Sequence, residues 1–260
     1  MSRTIVSGLL VALLVVTAGC VGGGPGAAPD AGSMDGGGSD GGSGGGDGGD
    51  AVSIVENRTA ALREAGSYTS VWRMQSLEDG EVVGETAYVT ALNYGAERYS
   101  FEMRTTQDGE TRTSAAAYYA DGRSYQRIGE GEEATYASSA ADFDTISQVD
   151  RAAFVSSSGS LDSFSFAGTE TYDGVRVRRY VMDETAPWLA AQQQSDGEIR
   201  WTDFSYEVLV DDQGLVRSEH WSGAGVDDAG TKKAVEFTYE LSGVGSTDVT
   251  EPVWLDQARA

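Results

Sequence analysis

Cysteine and histidine are almost absent from this chain of 260 residues, which contains one of each. A single cysteine cannot form a disulfide within the chain, and one cysteine with one histidine is too few for a Cys/His metal site. Basic residues are scarce as well, since 18 lysines and arginines face 41 acidic residues and the net charge is −23. Nucleic-acid binding needs clustered basic side chains. The composition therefore disfavours nucleic-acid partners and metal centres, and no cofactor motif is recognised.

Long hydrophobic runs are confined to the N-terminus. Residues 5–16 are apolar, follow Arg3 and precede the small residues Thr17, Ala18 and Gly19. A helix of this length is about 18 Å long, which is too short to span a hydrocarbon core of about 30 Å. The pattern predicts a signal peptide over residues 1–19 instead of a membrane-spanning helix.

The only cysteine, Cys20, follows this segment directly. The sequence Thr-Ala-Gly-Cys at residues 17–20 resembles the lipobox of prokaryotic lipoproteins. The resemblance implies that Cys20 is lipidated, becomes the mature N-terminus and anchors the protein on the extracytoplasmic face of the cell membrane. The alternative is a free thiol behind an ordinary signal peptide.

Residues 21–50 have an unusual composition, with 15 glycines and five aspartates among 30 residues. Such a segment buries too little apolar area to offset the entropy of ordering, so residues 20–50 are predicted to be a lipidated cysteine followed by a disordered tether. The acidic charge of the whole chain fits a halophilic protein, because concentrated salt screens self-repulsion. An acidic secreted protein from ordinary salt is the alternative.

Residues 51–260 are predicted to form one domain with mainly β patterning. Apolar residues such as Tyr68, Trp72 and Met74 alternate with polar ones, and Asp-Gly pairs separate the alternating runs. A helix is predicted at residues 51–65 behind Asp50, a second at 140–157 and a short turn at 187–193. We predict strands at residues 68–77, 82–93, 97–106, 110–120, 123–128, 163–172, 175–182, 201–210, 215–222 and 234–243, with a weaker one near 133–137.

The predicted fold class is α+β, mainly antiparallel β, with ten to eleven strands in a strongly curved, incompletely closed barrel covered by two or three helices. So few helices cannot cover the apolar face of so many strands, and the remaining space is suited to an apolar ligand. Alternatives are an interior filled by the aromatic side chains and a sandwich of two sheets. The alternation predicts these ligand-lining residues: Trp72, Met74, Tyr99, Phe101, Met103, Phe166, Tyr206, Phe237 and Tyr239.

The order of elements resembles that of known lipoproteins. The lipobox, glycine-rich tether, helix, hairpins and helical break resemble haloarchaeal surface lipoproteins, and they are similar to LolA-like half-barrel carriers and mycobacterial glycolipid-binding lipoproteins. The most specific stretches are YEVLVDDQGLV at residues 206–216 and TEPVW at residues 250–254. The resemblance implies a lipid or other hydrophobic ligand held between the sheet and its covering helices.

Enzymatic function is not expected. The only imidazole, His220, lies in a predicted strand, and no motif places a serine nucleophile beside it. The first hypothesis is therefore a membrane-anchored protein that binds or carries a hydrophobic ligand. The alternative is a non-enzymatic surface module without an internal ligand, which contacts envelope proteins or polysaccharide through its outer face.

Overall fold

The computed structural model describes residues 53–147, 152, 153, 155, 161–182 and 199–260. These residues fall within one compact unit, Gly48–Ala260. The predicted signal peptide at 1–19, Cys20 with the tether at 20–50, Asp50 and the predicted helical turn at 187–193 lie outside the described residues.

Eleven strands are present among the described residues, and they follow the predicted ones closely. The weak strand predicted near 133–137 lies at Thr135–Ala140, behind a short 3₁₀ turn at Gly131–Glu133. The strands are β1 (Ser67–Glu78), β2 (Glu81–Asn93), β3 (Arg98–Gln107), β4 (Glu110–Ala120), β5 (Arg123–Ile128), β6 (Thr135–Ala140), β7 (Ser165–Tyr172), β8 (Val175–Met182), β9 (Ile199–Asp211), β10 (Val216–Asp227) and β11 (Lys232–Ser242).

Asp-Gly pairs form four of the hairpin turns, as the sequence predicts. In each pair both residues have positive φ, for example 49° at Asp79 and 87° at Gly80. Two successive residues with positive φ define the type I′ turn, whose twist matches that of the strands it joins. The same geometry recurs at residues 108–109, 121–122 and 173–174.

All eleven strands belong to one antiparallel sheet, in the order β6-β5-β4-β3-β2-β1-β11-β10-β9-β8-β7. The first and last strands pair at its centre, where Trp72 lies opposite Tyr239. The sheet is curved and does not close, since β6 and β7 are its two edges. This arrangement confirms the predicted fold class and excludes the sandwich of two sheets.

The connection between β6 and β7, the crossover connection, joins strands at the two opposite edges of the sheet. Apolar residues of this connection belong to or pack against the main core, among them Phe143, Ile146, Val155, Leu161 and Phe164. We call the face of the sheet that they cover the inner face. Together with helix α1 (Arg58–Ala65), this connection therefore buries part of the apolar face that the eleven strands present.

The helix predicted at residues 140–157 is wrong as a continuous element. β6 extends to Ala140, and helix α2 covers only Phe143–Ile146, with Asp142 as its N-cap. Ala152 and Ala153 are not helical. The apolar residues whose spacing suggested a helix, such as Phe143, Ile146 and Val155, instead contact the main core at separate points of the crossover connection.

Helix α1 covers Arg58–Ala65, so the predicted start at residue 51 is wrong. The side chain of Asn57 caps it by accepting a hydrogen bond from the Ala60 amide at 3.0 Å. The preceding segment is tied to the turn before β10, because the Val55 amide donates to the Gly214 carbonyl at 2.9 Å. A Cβ at Gly214 would lie 2.5 Å from the Ser53 carbonyl oxygen, and its φ is +81°. Only glycine suits that position.

A third helix, α3 (Leu255–Arg259), was not predicted. It lies on the opposite, outer face of the sheet, over β5 and β6. There it forms a second core with residues of β4 and β5: Ala116, Tyr118, Ala120, Tyr125, Val249, Trp254, Leu255 and Ala258. None of the helices within the described ranges is long and apolar enough to cross a membrane.

Candidate ligand-binding face

The strand register places a continuous row of side chains on the inner face. Residues directly opposite one another in an antiparallel pair project to the same side. From the centre of the sheet the row continues through Tyr88 to Met103 on one side and through Glu219 and Val208 to Tyr180 on the other. The inner face is thus mainly apolar and aromatic across most of its width.

All nine predicted lining residues lie on this face. Tyr99, Tyr206, Phe237 and Tyr239 are buried in the main core, and Phe237 and Tyr239 have no exposed surface. These four are packed core residues in the described structure. Their use by a ligand stays a prediction.

The other five lining residues are less covered. Trp72, Met74 and Phe101 are partly buried against the core. Met103 is half-buried, and Phe166, near the β7 edge, is 60% exposed. These aromatic side chains are therefore not completely covered.

Edge-to-face aromatic contacts hold the central part of the face. The ring of Trp72 lies 5.1 Å from that of Phe237 and 5.3 Å from that of Tyr88, both in T-shaped geometry. The ring of Tyr88 contacts that of Phe101 at 6.0 Å. Such contacts add about 0.5–1.5 kcal/mol each beyond area burial. They give the inner face an aromatic floor beside the less covered Met103.

A buried carboxylate interrupts this apolar face. Glu219 has no exposed surface. It accepts hydrogen bonds from the Tyr206 hydroxyl and, at 3.2 Å, from the amide of Val155 in the crossover connection. Burial, together with the Glu219 charge, raises the pKa of Tyr206, which keeps the phenol protonated as a donor. Glu219 thereby fastens the crossover to the sheet.

An arginine from α1 reaches the same region. Arg58 donates to the Tyr239 hydroxyl at 2.7 Å, and its guanidinium carbon lies 5.7 Å from the Tyr68 ring centroid and 5.8 Å from that of Tyr239. Tyr239 is opposite Glu219 in the register. Polar groups of α1, β9, β10 and β11 therefore meet beneath the centre of the inner face, where they are bonded to one another and hold these elements together.

Sequence reasoning missed Arg58 and Glu219. A usable signal existed for Glu219, because it precedes Trp221 by two residues in a strand and must share its face. No such signal existed for Arg58, whose position depends on how α1 docks. The histidine that the sequence analysis singled out, His220, is exposed and lies on the outer face. Within the described part of the chain, no group of three or more potential ligands is placed to hold a metal ion.

Comparison with family models gives a match over residues 5–258 to a family of unknown function, DUF7537. The chain belongs to this family. The match covers nearly the whole sequence, including residues 5–19 of the predicted signal peptide. The family description assigns no activity, and no curated protein matches the sequence.

Several solved structures are similar to this member of the family. LprF from Mycobacterium bovis is 12% identical, with 77% of this chain and 98% of that chain covered and a TM-score of 0.34. A LolA superfamily protein from Nitrosomonas europaea is 7% identical, with 74% and 94% covered and a TM-score of 0.21. A β-barrel-like protein from Brucella abortus is also 7% identical, with 68% and 95% covered and a TM-score of 0.21. All three TM-scores are below 0.5.

Proposed function

We propose that this protein is a membrane-anchored extracytoplasmic lipoprotein that binds or carries a lipid or another hydrophobic ligand on the inner face of its sheet. The observation that carries the proposal is the incomplete cover of that face. Trp72, Met74, Phe101 and Met103 are only partly buried, and Phe166 and Ile128 are 60% and 58% exposed. Contiguous exposed apolar surface on a soluble domain marks binding sites.

Ile128 and Phe166 lie near the two edges of the open sheet, on β5 and β7. The register places both in the same cross-strand row as Trp72. An apolar ligand on the inner face would bury the exposed apolar surface of this row. Each Å² of apolar surface buried would favour binding by about 25 cal/mol. The aromatic floor supplies a pre-formed surface, so ligand binding requires little rearrangement of the sheet.

The anchor is proposed from Cys20 and the segment before it. Lipidation at Cys20 would attach the domain to the membrane through a tether of about thirty residues, which as a flexible coil has a mean span on the order of 30 Å. The domain would then meet ligands close to the lipid surface without being embedded in it. We propose no catalytic activity for the inner face, where the polar groups hold structural elements together.

Native mass spectrometry of the full chain, expressed in a lipid-containing host and extracted in mild detergent, tests this function. We expect a co-purified lipid adduct. Met103→Asp should reduce the adduct about tenfold or more, because a carboxylate on the inner face would be desolvated by an alkyl chain. Val89→Asp is the matched control, since Val89 is 39% exposed and lies on the outer face of the neighbouring strand.

If the adduct survives in Met103→Asp, the ligand does not bind on the inner face. The same conclusion follows if Val89→Asp removes the adduct to the same extent. Complete absence of an adduct in the unmodified chain, even after addition of fatty acid or phospholipid, would favour the surface module. The same preparation tests the anchor. The Cys20→Ser chain cannot be lipidated at this position, so we expect it to be lost from the membrane fraction.

The alternative function, an interaction module with no internal ligand, is favoured by one observation on the other side of the sheet. The outer face carries its own core under α3 and a cavity beside it. This second surface is compatible with ligand binding on the inner face.

A further inference from the structure

The outer face has a small cavity over strands β2 to β5. Its volume is about 180 Å³. Small side chains form its floor, because Ala87, Arg104 and Ser114 are neighbours in one cross-strand row and only the arginine is long. In the next row Glu102 and Arg127 flank Ala116. The outer-face residues that line the cavity are Ala87, Val89, Glu102, Arg104, Ser114 and Arg127, and the inner-face residues Met103 and Ala115 also contribute to it.

Two buried donors, one lining this cavity and one behind it, have no acceptor among the described residues. One is the Nε–H of Arg127, which lines the cavity, and the other is the indole N–H of Trp254. Trp254 is 5% exposed, and its ring centroid lies 5.9 Å from the guanidinium carbon of Arg127. A buried donor without an acceptor is costly and uncommon in native structures. Of the two donors, Arg127 Nε–H belongs to a cavity-lining side chain, and this donor is the one that points to an acceptor from outside the chain.

Arg127 supplies the cationic group that can receive an anionic acceptor, and the carboxylate of Glu102, in the same cross-strand row, also lines the cavity. Arg104 is paired with Glu130 at 2.7 Å. Arg127, in contrast, has no carboxylate within 4.0 Å in the described part of the chain. A half-buried arginine without a carboxylate is unexpected in a chain of net charge −23. The planar guanidinium matches the geometry of a carboxylate, with which it forms short, charge-assisted hydrogen bonds.

The position of the cavity over interior strands of the sheet excludes one class of ligand. β3 and β4 are interior strands, whose backbone groups are engaged with β2, with each other and with β5. A peptide therefore cannot bind here by adding a strand. The cavity instead admits a compact body whose apolar side can rest on Ala87 and Val89.

We propose that the outer-face cavity binds a small organic carboxylate, with the carboxylate on Arg127 and the body of the ligand over the Ala87–Ser114 floor. The side chains that form this site lie on the outer face, so carboxylate binding here can be tested independently of lipid binding on the inner face. Sugar acids and short aliphatic acids share the required chemistry, and the experiment distinguishes them.

The test is titration of the full ¹⁵N-labelled chain in detergent, followed by NMR of the Arg127 Nε–H and Trp254 indole N–H signals. The probes are glucuronate and propionate, with glucose and propionamide as their neutral counterparts. We expect saturable shifts of the Arg127 signal with at least one acid and none with the neutral probes. Tighter binding of glucuronate identifies a sugar-acid site, and tighter binding of propionate identifies a short-chain acid site.

Two variants and a control accompany the titration. Arg127→Gln should weaken carboxylate binding about tenfold or more, the effect of losing a charge-assisted hydrogen bond. Ala87→Leu fills the floor without changing charge and should also weaken binding. Arg112→Gln removes the same charge from an exposed position on β4, paired with Glu110 at 3.1 Å, and should leave binding within about twofold.

Three results would overturn the proposal. One is the absence of shifts with both acids in the unmodified chain, a result that does not depend on whether any variant folds. The second is an equal response to the neutral probes or to chloride alone. The third is unchanged affinity in a folded Arg127→Gln chain.

Discussion

At the scale of single residues, Asp211 links the sheet to the N-terminal segment. Its Oδ1 accepts hydrogen bonds from the amides of Gln213 at 2.9 Å and Leu215 at 3.0 Å, and its Oδ2 pairs with Arg217 Nε at 2.6 Å. Both charged side chains are 6% exposed. The carboxylate thereby shapes the turn that presents Gly214 to the residues before α1.

Asp211→Ala should lower the free energy of unfolding by about 3–5 kcal/mol, because it leaves Arg217 buried without its carboxylate. Asp212→Ala is the control at the neighbouring position, where the side chain is 54% exposed and the nearest pairing, to Arg178, is at 3.7 Å. It should change stability by less than about 0.5 kcal/mol. Urea unfolding followed by circular dichroism measures both. Equal losses in the two variants would contradict the role given to Asp211.

The residues of the inner face were partly predictable. Strict alternation fixes which side of a strand a residue faces, and this is enough to place Trp72, Met103 and Phe237 together. Alternation does not reveal how deeply each is covered. Phe237 and Met103 share a face, yet one is fully buried and the other is not, because cover depends on the path of the crossover connection.

At the scale of secondary-structure elements, turns were read more reliably than helices. Each Asp-Gly pair has a local conformational reason to end a strand, since both residues tolerate positive φ. The start of α1 depends instead on a non-local contact, the hydrogen bond from Val55 to Gly214. Helix α3 is only five residues long, which is too short for a periodic pattern to be recognised.

Helix α3 supplies a testable part of the fold. Leu255 is 2% exposed in the outer-face core, so Leu255→Ala should reduce the free energy of unfolding by about 2–5 kcal/mol. Gln257→Ala, at an exposed position of the same helix, should have little effect. Thermal melting with matched buffers checks the pair. A stable Leu255→Ala chain would mean that the second core contributes little.

At the scale of the whole molecule, the strand order was the least predictable feature. Hairpin turns establish that sequential strands pair, and they correctly give antiparallel neighbours. They do not show that β1 pairs with β11, because this contact joins the ends of the domain. That pairing fixes β6 and β7 as the edges, which the crossover connection joins.

The central claim is that the inner face of this open sheet receives an apolar ligand. Methionine methyl groups are well placed to test it, because Met74, Met103 and Met182 all lie on that face by register. Met34 lies in the predicted tether and serves as an internal reference. The measurement is NMR of the full chain with ¹³C-labelled methionine methyl groups, during titration with a fatty acid that carries a spin label near its methyl end.

We predict saturable broadening of the Met103 methyl signal, weaker broadening of the signals of Met74 and Met182, and none beyond the detergent background for Met34. Displacement by an unlabelled fatty acid should restore the Met103 signal. If the Met103 signal is unaffected, or is broadened only as much as that of Met34, the inner face does not bind the ligand and the account is wrong.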